Sequence, residues 1–149
     1  MGSVSKIGLK KSKLMLVFTY GMLTNSNIMS AEARRLGAAE LPGFAWEMLS
    51  HANVFRRPGN SVLGVLWEID YNLLKQLDRR EGYPYSYTRE MVQVQHQGRS
   101  RAAWVYIMTR RHRRQVQACY PSEHYFYSVL EGLEESGIVD PNLEQYDTC

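Results

Sequence analysis

LMLVFTYGML, residues 14–23, is a short and mostly apolar run that ends at a Tyr-Gly pair. Apolar runs of this length that stop at a glycine are typical of buried strands that feed a tight loop. We therefore expect ordered structure to begin near Leu14, with a strand over residues 14–19 and a loop from Tyr20 to about Asn27. Because glycine has no β-carbon, Gly21 would let a ligand approach the backbone of this loop closely.

Two hairpins are predicted further along the chain. The turn signal RRPGN, residues 56–60, separates two segments rich in aromatic and β-branched side chains, and QGRS, residues 97–100, separates two others. In the second hairpin, the segment MVQVQ alternates apolar and polar residues as a half-buried strand does. The four predicted strands are residues 44–55, 62–69, 87–96 and 102–108.

Three segments carry helix signals. Ser30 can cap a short helix over residues 31–36, which Gly37 would end. Asp70 can cap a second helix that ends at Gly82, so that Glu81 stands at its exit. Ser122 can cap a last helix that ends at Gly137, with an apolar face formed by Tyr125, Val129, Leu130 and Leu133.

These elements amount to about five strands, mainly in hairpins, and three helices. The pattern predicts an α+β domain with a curled, mainly antiparallel sheet. A chain of 149 residues with 44% hydrophobic composition is the size of one domain. We assign residues 1–13 to a flexible basic leader and residues 14–149 to this single domain.

Several kinds of site lack their starting residues. The 4 histidines and 2 cysteines show no metal-ligand spacing, and the phosphate-loop, dinucleotide-binding and serine-hydrolase motifs do not occur. We therefore expect neither a metal nor a cofactor. Two cysteines far apart in sequence favour a reducing compartment, and the apolar run after the first lysines is too short for a membrane span. The expected location is the cytoplasm, without a membrane partner.

The sequence TRRHRR, residues 109–114, is a local basic cluster in a chain whose formal charge is only +3. Four arginines could grip phosphates or an acidic partner. The alternative is a solvated loop, which we favour because no aromatic residues interleave with the arginines. Nucleic acid is thus an unlikely partner.

Five motifs, in this order along the chain, resemble the γ-glutamyl cyclotransferase family, and most closely its γ-glutamylamine cyclotransferase and AIG2-like branch. The resemblance spans roughly residues 14–138. It implies a small mixed β-barrel flanked by helices, an activity without metal or cofactor, and release of 5-oxoproline from γ-glutamyl substrates. The motifs are VFTYGML (17–23), GVLWEI (64–69), LDRREGYPYSYTR (77–89), AWVY (103–106) and PSEHY (121–125).

The resemblance also implies roles for single residues. Glu81 matches the family's catalytic glutamate, and Tyr125 matches a tyrosine that lines the same pocket. Tyr87, which closes the Glu-Gly-Tyr-Pro-x-x-Tyr string, is assigned to substrate binding as well. The substrate-cradling turn corresponds to Tyr20, Gly21, Met22 and Leu23.

Two departures from the family pattern bear on substrate choice. The family commonly has Thr or Ser where this chain has Met22, so that a side-chain hydroxyl is lost and the backbone N–H remains. The pair Arg79-Arg80 before Glu81 is more basic than the family's usual acidic or aromatic pair.

The chemistry of a γ-glutamyl group suits these residue types. Its free α-amino nitrogen can attack its own γ-carbonyl, so the enzyme needs to fold the substrate, move protons and stabilise an oxyanion. One carboxylate, Glu81, can act as general base and then as general acid. We expect the N–H groups of Gly21 and Leu23 to face the substrate's α-carboxylate or the oxyanion.

The expected partner is thus a small-molecule γ-glutamyl substrate, bound by a monomer or homodimer. Two alternatives stay open. A non-catalytic member of the fold could use residues 110–114 to bind nucleic acid or an acidic partner. The pocket could also act on a γ-glutamyl adduct of a larger molecule.

Overall fold

Five strands close into a barrel in the computed structural model, which describes residues 13–139. Three helices flank the barrel within these residues. The strands are β1 (Met15–Thr19), β2 (Arg34–Met48), β3 (Ala52–Ile69), β4 (Tyr87–His96) and β5 (Arg99–Met108). The helices are α1 (Tyr71–Glu81), α2 (Arg110–Val116) and α3 (Glu123–Glu135).

The order of the strands around the barrel is β1, β3, β2, β4, β5. Strand β1 pairs antiparallel with β3 and parallel with β5, where Val17 lies opposite Trp104, and this parallel pair closes the barrel. The other pairs are antiparallel. The predicted α+β fold, a small and mainly antiparallel barrel with flanking helices, is confirmed.

Apolar side chains from every strand fill the barrel. Phe18, Leu66, Val94 and Val105 share one face of the sheet by register and are at most 1% exposed, as residues on the inner face of a small barrel should be. Helix α1 covers the outside with three leucines, and α3 adds Val129 and Leu133. Burial of this apolar surface is the main source of the barrel's stability.

Helices α1 and α3 begin where the sequence predicts. The Asp70 carboxylate accepts a hydrogen bond from the Leu73 N–H at 2.8 Å, and the Ser122 hydroxyl accepts one from the Tyr125 N–H at 3.1 Å. Gly82 ends α1 in the left-handed region, with φ of 69°. Glu81 is consequently the last residue of α1, as expected.

The predicted helix over residues 31–36 is wrong, because these residues form a turn followed by the start of β2. The Ser30 hydroxyl accepts a hydrogen bond from the Glu32 N–H at 3.1 Å, which caps a turn rather than a helix. Arg34 then pairs with Glu68 of β3. Gly37 adopts φ of 108° at a bulge in β2 and ends no helix. Pairing with β3 therefore overrides the local helix preference.

The predicted turn at residues 56–60 is also wrong. Strands β2 and β3 are joined around residues 49–51, and residues 56–60 belong to β3. The pairing jumps from Pro42 opposite Ser61 to Phe44 opposite Arg56, so the Pro-Gly signal marks a bulge within a long strand. The second predicted hairpin is confirmed, with β4 and β5 paired along their whole length.

The predicted loop at residues 109–114 is instead the start of α2. The Thr109 hydroxyl accepts a hydrogen bond from the His112 N–H at 3.2 Å and caps the helix. The arginines of α2 are exposed to solvent, so the expected solvation holds although the expected loop does not.

The predicted leader, residues 1–13, lies almost entirely outside the described residues, as does Cys149. Within the described part of the chain, no helix combines the length and the apolar character needed to cross a membrane.

Candidate active site

A cavity of about 450 Å³ lies at one end of the barrel. Four strand ends meet there because of the strand directions: the end of β1, the start of β3, the start of β4 and the end of β5. The last turn of α1, the helix α2 and the first turn of α3 complete the wall. All seven residues singled out from the sequence line this cavity: Tyr20, Gly21, Met22, Leu23, Glu81, Tyr87 and Tyr125.

A short 3₁₀ turn, Met22–Thr24, follows β1 and forms one wall. The N–H and the hydroxyl of Thr24 both donate to the Gly21 carbonyl oxygen, at 3.0 and 2.7 Å. The indole N–H of Trp46 donates to the Tyr20 carbonyl oxygen at 3.0 Å. Among residues 13–139, no acceptor is hydrogen-bonded to the N–H groups of Gly21 and Leu23. The turn is thus fixed through its carbonyl oxygens and leaves two donors unused.

Three tyrosine hydroxyls anchor the rest of the wall to the backbone. Tyr87 donates to the Ala52 carbonyl oxygen at 2.8 Å, and Tyr125 accepts from the Ala52 N–H at 2.9 Å. The Tyr20 hydroxyl donates to the Tyr106 carbonyl oxygen. Burial raises the pKa of Tyr125 to about 12 and holds the pKa of Tyr20 and of Tyr87 well above the ordinary value. These phenols therefore stay neutral and bring no charge to the cavity.

Glu81 lines the cavity at the end of α1 and is partly buried. Burial raises the pKa of its carboxyl from the ordinary 4.5 to about 7, against a smaller opposing effect of the Arg80 charge. Within the described residues, no hydrogen-bond donor or ion-pair partner holds this carboxylate. A carboxyl group with a pKa near neutrality can both accept and donate a proton at physiological pH.

A largely buried ion pair lies one turn before Glu81 in α1. The Asp78 carboxylate accepts from Arg89 of β4 at 2.8 and 3.1 Å, and from the Tyr106 hydroxyl at 2.6 Å. Burial would raise the pKa of Asp78, but the hydrogen bonds from Arg89 and Tyr106 outweigh it and lower the pKa. The Arg89 guanidinium also packs on the Tyr83 and Trp104 rings. These contacts tie the end of α1 to β4 and β5.

Sequence reasoning missed two histidines at the cavity. His51, between β2 and β3, packs edge-on against the Tyr125 ring at a centroid distance of 4.8 Å, and His112 of α2 packs beside Tyr87 at 6.0 Å. Burial lowers the pKa of His51, and the nearby His112 lowers it further. No local sequence signal could have found this pair, because closure of the barrel brings the two segments together.

The two arginines before Glu81 also line the cavity. A guanidinium nitrogen of Arg80 lies 4.0 Å from the Met22 sulfur, on the opposite wall. Arg79 and Arg80 were noted in the sequence as a departure from the family pattern, without an assigned role. As for metals, residues 13–139 contain no group of three or more His, Cys, Asp or Glu side chains arranged to hold an ion.

Solved structures share the fold of this chain at low sequence identity. A protein called gamma-glutamyl cyclotransferase superposes with a TM-score of 0.77 at 22% identity, over 92% of this chain and 90% of its own. An uncharacterized human protein gives 0.76 at 23% identity, over 91% and 89% of the two chains. A yeast gamma-glutamyl cyclotransferase specific to glutathione gives 0.65 at 16% identity, over 90% and 93%. No match to a curated protein was found.

The family described as gamma-glutamyl cyclotransferase, AIG2-like, matches residues 17–127. The matched segment includes the end of β1, the turn after it, Glu81 and the start of α3. Because it covers most of the chain, this protein belongs to the gamma-glutamyl cyclotransferase, AIG2-like family.

Proposed function

We propose that this protein is a γ-glutamyl cyclotransferase that releases 5-oxoproline and a free amine or amino acid from a γ-glutamyl substrate. The observation that carries the proposal is Glu81, a carboxyl group with its pKa raised to about 7, in one cavity with the backbone donors of the Tyr20–Leu23 turn. Family membership supports the reaction class, and the geometry supports the assignment of roles.

Glu81 would perform both proton transfers. In the first step it takes a proton from the substrate's α-ammonium group, and the freed nitrogen attacks the γ-carbonyl carbon to form a five-membered ring. In the second step the bond from that carbon to the leaving nitrogen breaks as Glu81 returns this proton to the leaving nitrogen. The ring nitrogen gives up one further proton to become the lactam N–H, and this proton leaves on the amine as an ammonium ion. No water is consumed, and the products are 5-oxoproline and the amine. General acid–base help of this kind contributes about 10² to 10⁴ in rate.

The turn after β1 would bind the charged end of the substrate. The N–H groups of Gly21 and Leu23 have no acceptor among the described residues, so they are free for the α-carboxylate or for the oxyanion of the tetrahedral intermediate. Met22 supplies no hydroxyl. Its backbone N–H instead interacts with the Tyr125 phenol oxygen, an effect that opposes the rise in the pKa of Tyr125.

The neutral tyrosines would shape the cavity rather than react. Tyr20, Tyr87 and Tyr125 are held by hydrogen bonds to the backbone and surround the space in front of Glu81. A wall of buried rings keeps water from the carboxylate, which is the physical reason for its raised pKa. It also favours a substrate folded back on itself over an extended one.

The test is 5-oxoproline release from a panel of γ-glutamyl amino acids and γ-glutamylamines, including γ-glutamyl-ε-lysine. Each substrate is paired with its Nα-acetyl form, which lacks the attacking amine. Release from free substrates and none from acetylated ones supports the proposal. Equal release of the amine from both forms, with glutamate in place of 5-oxoproline, would show hydrolysis instead. No release from any substrate by folded protein would favour a larger γ-glutamyl adduct or a binding protein.

The binding alternative concerns α2. If residues 110–114 bind nucleic acid or an acidic partner, retention on immobilised nucleic acid should fall steeply as salt rises. Retention that persists after all four arginines are replaced would reject this use of the cluster.

A further inference from the structure

Arg79 and Arg80 bring two positive charges to the cavity beside Glu81. Both belong to the last turn of α1, where cations interact favourably with the helix dipole. The dipole accounts for a basic residue at a helix end. It does not account for both side chains facing the space in which the proposed substrate would react.

Neither arginine forms an ion pair within the described residues, and both side chains are exposed to solvent. Each ion pair among residues 13–139 involves another arginine, namely Arg34, Arg35, Arg56, Arg89 or Arg113. Arg80 contacts the Met22 sulfur at 4.0 Å, which is a weak interaction, and acts on Glu81 through its charge. Guanidinium groups form strong, paired hydrogen bonds with carboxylates, so both are suited to an anionic ligand.

Apart from Glu81, the described side chains around the cavity add no negative charge. Glu81 is the one carboxylate among the described residues that line it, and the buried tyrosines are neutral. Helix α2 carries Arg110, Arg111 and Arg114, which are exposed and have no ion-pair partner among residues 13–139, whereas Arg113 is neutralised by Glu47. His112 of the same helix lines the cavity, whereas Arg110, Arg111 and Arg114 are not among the residues that line it.

This inference rests on the proposed function and specifies its substrate. We propose that the amine half of the γ-glutamyl substrate is polyanionic, with the chemistry of an acidic amino acid. The glutamyl half occupies the turn and faces Glu81. The leaving half then lies against Arg79 and Arg80. γ-Glutamyl-glutamate is the simplest substrate of this class, and a lysine-type amine is disfavoured because it brings a positive charge.

Affinity in a Glu81→Gln background tests the proposal without turnover. Dissociation constants are measured by calorimetry for γ-glutamyl-glutamate, for γ-glutamyl-glutamine, which has the same shape and one charge less, and for γ-glutamyl-ε-lysine. We expect γ-glutamyl-glutamate to bind about tenfold tighter than γ-glutamyl-glutamine, the effect of one partly solvated charge pair, and γ-glutamyl-ε-lysine to bind weakest.

Removing each arginine in the same background locates the effect. Arg79→Gln and Arg80→Gln should each reduce the preference for glutamate over glutamine several-fold. Lys75→Gln is the matched control, because Lys75 is a cation of α1 that stacks on Tyr71 and does not line the cavity. The preference of the Lys75→Gln variant for glutamate over glutamine should equal that of the Glu81→Gln background protein.

Three results would overturn the proposal: equal or tighter binding of the glutamine compound, a preference unchanged in both arginine variants, or no binding of any of the three compounds. Release of 5-oxoproline by the native protein is measured in parallel. Turnover without a charge preference would contradict this inference and leave the cyclotransferase proposal intact. Charge-selective binding without turnover would support the anionic ligand and contradict the cyclotransferase proposal.

Discussion

The phenol oxygen of Tyr125 lies directly against Gly21, since a β-carbon at position 21 would stand 3.0 Å from it. The same β-carbon would stand 3.1 Å from the Cβ of Ala52, whose N–H donates to that phenol. The turn after β1, the start of β3 and the start of α3 therefore meet at one point. The cavity keeps its shape because residue 21 has no side chain.

Gly21→Ala should reduce the kcat/KM for 5-oxoproline release by about tenfold or more, because a misplaced backbone donor weakens binding of the transition state. The added methyl group must displace either the Tyr125 ring or the turn. Steady-state kinetics with a γ-glutamyl substrate measure the effect, and full activity of Gly21→Ala would contradict the role given to the turn.

The double variant Gly21→Ala/Tyr125→Phe checks the cause. If the contact with the phenol oxygen is responsible, the loss of unfolding free energy in the double variant is smaller than the sum of the two single losses. Urea unfolding of the four proteins measures this difference. Additive losses would place the strain elsewhere.

Tyr125→Phe alone should lower the free energy of unfolding by about 1 to 3 kcal/mol, because the buried Ala52 N–H loses its acceptor. Urea unfolding gives the value. Tyr127→Phe, which changes an exposed tyrosine of the same helix, is the control and should shift the free energy by less than about 0.5 kcal/mol. Equal effects at the two positions would argue against the hydrogen bond.

Glu81 should make stability depend on pH. Its pKa is about 7 in the folded protein and 4.5 ordinarily, so the stability it contributes is fully present below pH 4.5 and is lost as pH rises through 7. As pH rises from 4 to 8, the free energy of unfolding of Glu81→Gln should therefore increase by up to about 3 kcal/mol relative to that of the native protein. Unfolding in urea across this range measures the gain, and a difference constant with pH would contradict the raised pKa.

Breaking the ion pair between Asp78 and Arg89 should be costly, because both side chains are largely buried. Asp78→Asn leaves the Arg89 charge uncompensated, at a cost of about 3 to 5 kcal/mol in unfolding free energy. Glu90→Gln, which breaks the exposed pair with Arg56, is the control and should cost less than about 1 kcal/mol.

The same pair predicts a second pH dependence, of opposite sign to that of Glu81. Because the pKa of Asp78 is lowered on folding, the stability it contributes is present above the ordinary pKa and is lost as pH falls through the folded value. The free energies of unfolding of the native and Asp78→Asn proteins, measured as a function of pH, should thus converge at low pH. Parallel curves would contradict this assignment.

Local signals predicted the elements that are determined locally. Asp70 and Ser122 cap helices as expected, and the β4–β5 hairpin follows the alternation of its own sequence. The predictions were wrong where pairing between distant segments determines the secondary structure. Residues 31–36 have good helix formers, but residues 34 and 35 pair with β3 at the start of β2. The Pro58-Gly59 signal marks a bulge in β3 rather than a turn. Such pairing energies are not visible in a single sequence.

The sequence also singled out seven of the residues that line the cavity, and their roles there remain predictions. The family motifs identified the turn after β1, Glu81, Tyr87 and Tyr125, and the structure places all of them around one cavity. His51 and His112 were passed over, because each was judged by metal-ligand spacing and each stands alone in sequence. Their neighbours come from other elements, so their position required the closed barrel.

The most direct test of the role of Glu81 is 5-oxoproline release by the native protein and by Glu81→Gln, measured at pH 7 with the same substrate. Glu90→Gln serves as a control with an exposed carboxylate replaced, and thermal unfolding confirms that each variant is folded. We predict that Glu81→Gln loses activity by about 10² to 10⁴ while Glu90→Gln retains it, as expected for loss of a general acid–base group. Native activity in folded Glu81→Gln would contradict the mechanism.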